Sequence, residues 1–155
     1  MSRFFIEIAT ILCENMPTSF KETDGFKKDF KRLAKKYKSL AEDFELFKKI
    51  ITQNALGFGV HFNVITKENG WTVIKARLFC RYLKGRTLRI IYLYWEKRDE
   101  MEVVKSFEFI ELYFKGEKEN EDRGRIREYL KSKKIPKANK DCDYCNYIKA
   151  VDKST

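Results

Sequence analysis

The chain has 155 residues, of which 33 are lysine or arginine and 23 are aspartate or glutamate, giving a formal net charge of +10. This length suits one domain with a hydrophobic core, and a hydrophobic content of 43% with only two prolines excludes a low-complexity chain. The basic pI of about 9.4 favours nucleic acid or an acidic protein as the partner.

The cysteines are few and unevenly spaced, at Cys13, Cys80, Cys142 and Cys145. This spacing is not typical of a disulfide framework, so we expect a reducing, cytoplasmic environment. The apolar run 4–13 is too short to cross a bilayer, and we expect a buried strand or short helix there, with no membrane partner. A zinc site needs about four ligands, and the pair at 142 and 145 has few candidates to complete one, so we expect no metal or other cofactor.

The first part of the chain predicts a short strand at 19–23 followed by two helices. The first helix starts at Asp24, which we expect to cap it, and carries an apolar stripe at Phe26, Phe30, Leu33 and Tyr37. The second starts at Ser39, where Ser39-Leu40-Ala41-Glu42 fits a capping box. Its expected buried row is Phe44, Phe47 and Ile51.

The second part changes to strand-like patterns. We predict strands at 60–66, 71–83, 87–96 and 102–115, and then a helix at 121–133. The order predicts an α+β domain over residues 1–133, with helices on one face of an antiparallel sheet. From Ile135 the composition turns polar, so we expect residues 134–155 to form a flexible C-terminal tail.

Basic residues are concentrated in the predicted strands. Between Lys75 and Arg98 the chain carries eight basic residues and one acidic residue. Strand alternation places Lys75, Arg77 and Arg81 on one face of the strand 71–83, away from its apolar residues. Cations held along a strand in this way point to an anionic partner.

The turn after Leu83 decides on which face Arg89 lies. A two-residue turn would set Arg89 in the core, whereas a three-residue loop at 84–86 pairs Leu83 with Thr87 and sets Arg89 opposite Arg81. We prefer the loop, because burying an unpaired guanidinium is costly. The sequence therefore predicts a single basic face formed by Lys75, Arg77, Arg81 and Arg89.

Alternation on the predicted strand 102–115 gives a row formed by Lys105, Phe107, Phe109, Glu111, Tyr113 and Lys115. The sequence leaves its register to the neighbouring strand open. If this row joins the basic face, then Lys115, Tyr113 and two phenylalanines line it. Cations beside aromatic rings are typical of an RNA-binding surface, although strand aromatics also commonly form core.

Three segments, in this order and spacing, resemble the RelE/ParE/HigB superfamily of type II toxins, and within it the RelE-like ribonucleases. They are FKKDFKRLAKKYKSLAEDFE (26–45), VIKARLFCRYLKGRTLRIIYLY (73–94) and FIELYFKGEKENE (109–121). The resemblance spans about residues 18–130. It implies a RelE-like fold, an antiparallel twisted sheet with two N-terminal helices packed on one face and a C-terminal helix.

The resemblance also implies a function. RelE-like toxins are metal-independent endoribonucleases (mRNA interferases) that cut messenger RNA in the ribosomal A site and so inhibit translation, under control of a cognate antitoxin. The partners implied are therefore messenger RNA, the ribosome and an antitoxin protein.

The resemblance implies catalytic roles for four residues of this sequence. Lys75 and Arg77 match the basic pair on the strand before the turn, Arg89 matches the arginine opening the next strand, and Lys115 matches the basic residue ending the last. Lys75 or Arg77 would help activate or orient the 2′-hydroxyl, Arg89 would stabilise the transition state, and Lys115 would protonate or neutralise the leaving 5′-oxygen. The residues expected to bind RNA are Arg81, Lys84, Arg86 and Tyr113.

The chain departs from the RelE pattern after Lys115. The family has a tyrosine there, whereas residues 116–122 are acidic and contain none, so Tyr113 or Tyr129 would have to replace it. One alternative is a catalytically inactive RNA- or protein-binding domain on the same scaffold. Another is a ParE-like gyrase inhibitor, against which the basic residues argue.

Overall fold

The computed structural model describes residues 17–57, 59–68, 70–99 and 101–133. In chain order they form β1 (Thr18–Glu22), α1 (Asp24–Lys36), α2 (Leu40–Gln53), β2 (Phe62–Glu68), β3 (Trp71–Phe79), a 3₁₀ turn (Arg81–Leu83), β4 (Thr87–Asp99), β5 (Glu102–Phe114) and α3 (Arg123–Ser132). The predicted element at 4–13 and the tail at 134–155, with its two cysteines, lie outside the described residues. No helix in the described part is long and apolar enough to cross a membrane.

The five strands form one sheet in the order β1-β5-β4-β3-β2. Strands β2 to β5 form an antiparallel meander, as predicted, but β1 runs parallel to β5. The α+β class is confirmed, whereas the prediction of a wholly antiparallel sheet is wrong. Backbone hydrogen bonds fix β1, because Lys105 N donates to Pro17 O (3.0 Å) and Thr23 N donates to Phe109 O (3.1 Å).

Helices α1 and α2 cover one face of the sheet. Their predicted apolar stripes are the core, with Phe26, Leu33 and Ile51 fully buried against β3, β4 and β5. The cap of α1 lies one residue earlier than predicted. The hydroxyl of Thr23, not the carboxylate of Asp24, accepts a hydrogen bond from Phe26 N (3.2 Å).

The predicted capping box at the start of α2 does not form. Ser39 has helical backbone angles and makes no side-chain cap. Its hydroxyl donates instead to Asp43 Oδ2 (2.7 Å), and Glu42 pairs with Arg81. The two acidic residues of the first turn thus hold a distant basic residue, a partnership that local sequence patterns do not reveal.

Helix α3 packs on the opposite face of the sheet, so the prediction of helices on one face holds for α1 and α2 and not for α3. Ile126 of α3 is buried in a second apolar cluster with Val73, Ile91 and Leu93, and Tyr129 packs against it. These strand residues alternate with those facing α1 and α2, which gives the sheet an apolar layer on each side.

A β-bulge in β5 interrupts the alternation of faces on which the predicted row from Lys105 to Lys115 depends. The register shifts between Ile91 and Tyr92, where Phe109 pairs with Tyr92 and Glu111 with Ile91. The intervening Ile110 is left without a partner, which reverses the faces beyond it. Phe107 and Phe109 are therefore fully buried under α1 and α2, so of the two alternatives that the sequence leaves open, they form core and do not line the basic face.

Strand β3 ends at Phe79, four residues earlier than predicted. The chain then forms the 3₁₀ turn, with Lys84 (φ 46°) and Gly85 (φ 90°) in left-handed conformations. This longer connection pairs Phe79 with Thr87 and Arg77 with Arg89. The predicted pairing of Arg89 with Arg81 is wrong, but Arg89 still lies on the face away from α1 and α2.

Candidate functional site

Four cations from three separate segments line one open groove of about 480 Å³ at the end of the sheet. Arg77 lies on β3, Arg89 on β4, and Arg86 and Lys115 lie in the connections beside them. The rest of the lining is Phe79, Gly85, Thr87, Phe114 and Gly116. We call this set the basic groove. Three of the four residues with predicted catalytic roles, and one of the four predicted to bind RNA, are therefore brought together.

Arg77 and Arg89 form the base of the groove because they are opposite each other in the antiparallel pair β3–β4. Directly opposed residues point to the same side of a sheet. Partial burial lowers the pKa of Arg89, and the positive charge of Arg77 lowers it further. Arg89 Nη1 donates to Thr87 Oγ1 (2.6 Å), which orients the guanidinium along the strand.

The basic groove lacks acidic partners in the part of the chain that the structure describes. None of Arg77, Arg86, Arg89 and Lys115 forms an ion pair with a described carboxylate. Two guanidinium groups that face each other without a counter-ion repel and reduce folding stability. An anion bound between them would remove that repulsion, so the groove is suited to a phosphate or carboxylate ligand.

Lys75 lies on the same face but is engaged by an acid. Its Nζ donates to Glu121 Oε2 (2.9 Å), and the Glu121 side chain, 4% exposed, also lies 3.3 Å from Arg123. Burial alone would raise the pKa of Glu121, but the hydrogen bond from Lys75 and the two positive charges hold it below its ordinary value. Lys75 therefore anchors the segment before α3 and does not line the groove.

Arg81 and Lys84, both predicted to bind RNA, lie outside the groove. Arg81 turns back to α2, where its N and Nε donate to Asp43 (3.1 and 3.0 Å). Burial would raise the pKa of Asp43, but hydrogen bonds from Ser39 and Arg81 outweigh it and lower the pKa. The predicted sharing of one face by Arg81 and Arg89 is therefore wrong, because Arg81 belongs to the turn. Lys84 is exposed in that turn.

Tyr113, also predicted to bind RNA, does not line the groove. It is opposite Arg89 on β5 but only 3% exposed, packed in the apolar cluster under α3. Burial raises its pKa to about 12, with further contributions from Glu121 and Glu111. At neutral pH its phenol is therefore protonated, so Tyr113 lies beside Arg89 on the same face of the sheet without acting as a base. Tyr129 is likewise packed into this cluster.

Two residues that the sequence reasoning missed shape the site. Phe79 lines the groove with an exposure of 59%, and strand alternation from Lys75 and Arg77 would have placed it there. Glu121 neutralises Lys75 from 46 residues away, and no local pattern indicates that pairing. Among the described residues, no three His, Cys, Asp or Glu side chains are placed to hold a metal ion.

Comparison with known proteins identifies no relative of the chain. No protein-family model matches the chain, and neither a curated protein nor a solved structure matches it.

Proposed function

We propose that the chain is an RNA-cleaving toxin of the RelE type, which binds the backbone of messenger RNA in the basic groove and inhibits translation. The observation that carries the proposal is the convergence of Arg77, Arg86, Arg89 and Lys115 on one open groove without described acidic partners. Planar guanidinium groups match the oxygens of a phosphate, and several cations in a row match a chain of phosphates.

The reaction proposed is attack of an RNA 2′-hydroxyl on the adjacent phosphorus. The new O–P bond forms as the P–O5′ bond breaks, leaving a 2′,3′-cyclic phosphate and a 5′-hydroxyl. Arg77 and Arg89 hold the non-bridging oxygens, whose negative charge increases in the transition state. Lys115 gives its proton to the departing 5′-oxygen and recovers one from water.

The structure changes the role proposed for Lys75. Because the ammonium of Lys75 is hydrogen-bonded to the buried carboxylate of Glu121, it is not available to accept the proton of the 2′-hydroxyl. That proton therefore passes to water, and most of the rate enhancement comes from stabilising charge. Arginine suits this role because it stays protonated across the physiological pH range.

The test is cleavage of a labelled message in a translation extract and on isolated ribosomes. We expect wild-type protein to produce 5′-hydroxyl and cyclic phosphate ends. Arg89→Ala should slow cleavage by about 100-fold or more, the usual loss when one transition-state donor is removed. Lys35→Ala removes the same charge from the exposed side of α1 and serves as the control, with an unchanged rate.

A second candidate is a catalytically inactive RNA-binding domain that uses the same groove. It is favoured by one observation, that three of the four cations lining the groove are arginines and the nearby Lys75 is occupied by Glu121. In this case the same assay would show salt-sensitive binding of the message, weakened by Arg89→Ala, while the message stays intact.

We also propose that an antitoxin protein controls the chain by occupying the groove. Carboxylates from an acidic segment would pair with Arg77 and Arg89 as phosphates do. Co-expression with its genetic neighbour should then relieve growth arrest, and the purified complex should no longer bind RNA.

A further inference from the structure

Phe79 differs from the other residues of the basic groove because it is a large aromatic side chain that is exposed to solvent. It is the last residue of β3, lies opposite Thr87, and by alternation points to the same side as Arg77. Its exposure of 59% means that its ring contributes little to the core. An exposed ring beside four cations calls for a ligand with both charge and a flat apolar surface.

The ring of Phe79 is held in place by His61, which precedes β2. The two ring centroids are 5.1 Å apart and the ring planes are 77° apart, an edge-to-face contact. His61 is itself fixed to β3, since its carbonyl accepts from Arg77 N (2.9 Å). The contact restricts the rotamers of Phe79 while most of the ring stays open to the groove, as preorganised stacking platforms require.

We propose that Phe79 is the stacking platform for one unpaired base of a single-stranded nucleic acid whose phosphates contact the cations of the basic groove. The inference rests on the proposed function and specifies its substrate as single-stranded. Phosphates pair with arginines, and a base with a free face stacks on an aromatic ring. A base inside a duplex has no free face, so a double-stranded substrate leaves Phe79 unused.

The experiment places a fluorescent indole at this position. Phe79→Trp is titrated with a short RNA carrying 2′-O-methyl groups on every sugar, which can bind but cannot be cleaved. Parallel titrations use the same strand in a duplex, an oligomer of equal length without bases, and an acidic peptide. Tyr82→Trp is the matched control, because Tyr82 is similarly exposed (55%) but belongs to the 3₁₀ turn and does not line the groove.

We expect the single strand to quench the Phe79→Trp emission, after subtraction of the two native tryptophans, and to leave Tyr82→Trp unchanged. The oligomer without bases should bind without quenching. Phe79→Ala should weaken binding of the single strand by about tenfold, the usual effect of one base–aromatic stack, and leave binding of the base-free oligomer unchanged.

Each other outcome overturns a definite part of the account. Binding of the single strand without quenching, and unaffected by Phe79→Ala, would remove the stacking site and leave the proposed function standing. Equal quenching by the duplex would refute the single-stranded preference. Quenching by the acidic peptide alone would make the groove a protein-binding site, and a failure of all nucleic acids to bind would refute both proposals.

Discussion

Replacing Lys75 by methionine should lower stability much more than it lowers RNA cleavage. Methionine keeps most of the side-chain volume but removes the ammonium that donates to Glu121 at 2.9 Å. Leaving a fully buried charge unpaired costs about 3–5 kcal/mol. Because Arg123 still lies 3.3 Å from Glu121 and Lys75 is 26% exposed, we expect a smaller loss of about 2 kcal/mol in the free energy of unfolding.

The pH dependence of this loss provides an internal check. The folded-state pKa of Glu121 is lower than its ordinary value, so the pair stabilises the protein above the ordinary carboxylate pKa. That stabilisation disappears as the pH falls through the folded-state pKa and the carboxylate becomes protonated. The effect of Lys75→Met should therefore be full at about pH 7 and much smaller at about pH 3.

Urea denaturation followed by tryptophan fluorescence measures this effect directly. Trp71 and Trp95 both pack against the apolar cluster that α3 covers, so their emission reports on the region that Glu121 anchors. The double variant Lys75→Met/Glu121→Leu should be more stable than the sum of the single effects predicts, by about 1–2 kcal/mol. A stability change below about 0.5 kcal/mol together with a 100-fold loss of cleavage would refute this reasoning and make Lys75 catalytic.

Three further predictions concern the groove, the turn and one glycine. Arg86→Ala should reduce the slope of log binding constant against log salt concentration by about 0.7 for a single strand, as measured by fluorescence anisotropy; an unchanged slope would mean that Arg86 contacts no phosphate. Asp43→Ala should lower the free energy of unfolding by about 2 kcal/mol, because it leaves Arg81 N without its acceptor. Since the folded-state pKa of Asp43 is also low, that difference should be largest at neutral pH and decrease in acid; a difference independent of pH would contradict the assignment. Gly57→Ala should lower the free energy of unfolding, measured by thermal unfolding, by more than about 2 kcal/mol, because φ is +64° and the new Cβ would lie 2.1 Å from the ring of Phe62. The control Gly59→Ala, where φ is +79° and the space around the new Cβ is open, should cost only about 1 kcal/mol. Equal costs would show that the contact with Phe62 is relieved.

The helices and the general class could be predicted because they depend on local periodicity. The apolar stripe of α1 recurs every three or four residues, and that spacing is sufficient to identify both the helix and its buried side. The bulge at Ile110 could not be predicted, because nothing in the alternation of β5 marks where one residue is left unpaired. Simple alternation puts Phe109 and Tyr113 in one row, whereas the bulge places them on opposite faces of the sheet.

Only part of the candidate site could be predicted, because local rules determine some of its residues and distant contacts determine the others. Alternation and the cost of burying an unpaired guanidinium place Arg77 and Arg89 on the same face, because the turn register that would set Arg89 in the core is unfavourable. The positions of Arg81 and Lys75 depend instead on acidic residues 38 and 46 positions away, Asp43 and Glu121. Such long-range pairs form only when the fold brings the segments together, so the sequence did not distinguish structural cations from those left for a ligand.

The measurement that tests the central claim most directly is single-turnover cleavage of a 5′-labelled message on programmed ribosomes. Wild-type protein should cut the message within the A-site codon and leave a cyclic phosphate, and the variant Arg77→Ala/Arg89→Ala should bind weakly and cut at least 100-fold more slowly. An intact message at saturating wild-type protein would contradict the proposed cleavage. Equal cutting by the double variant would show that the basic groove is not the site of the reaction.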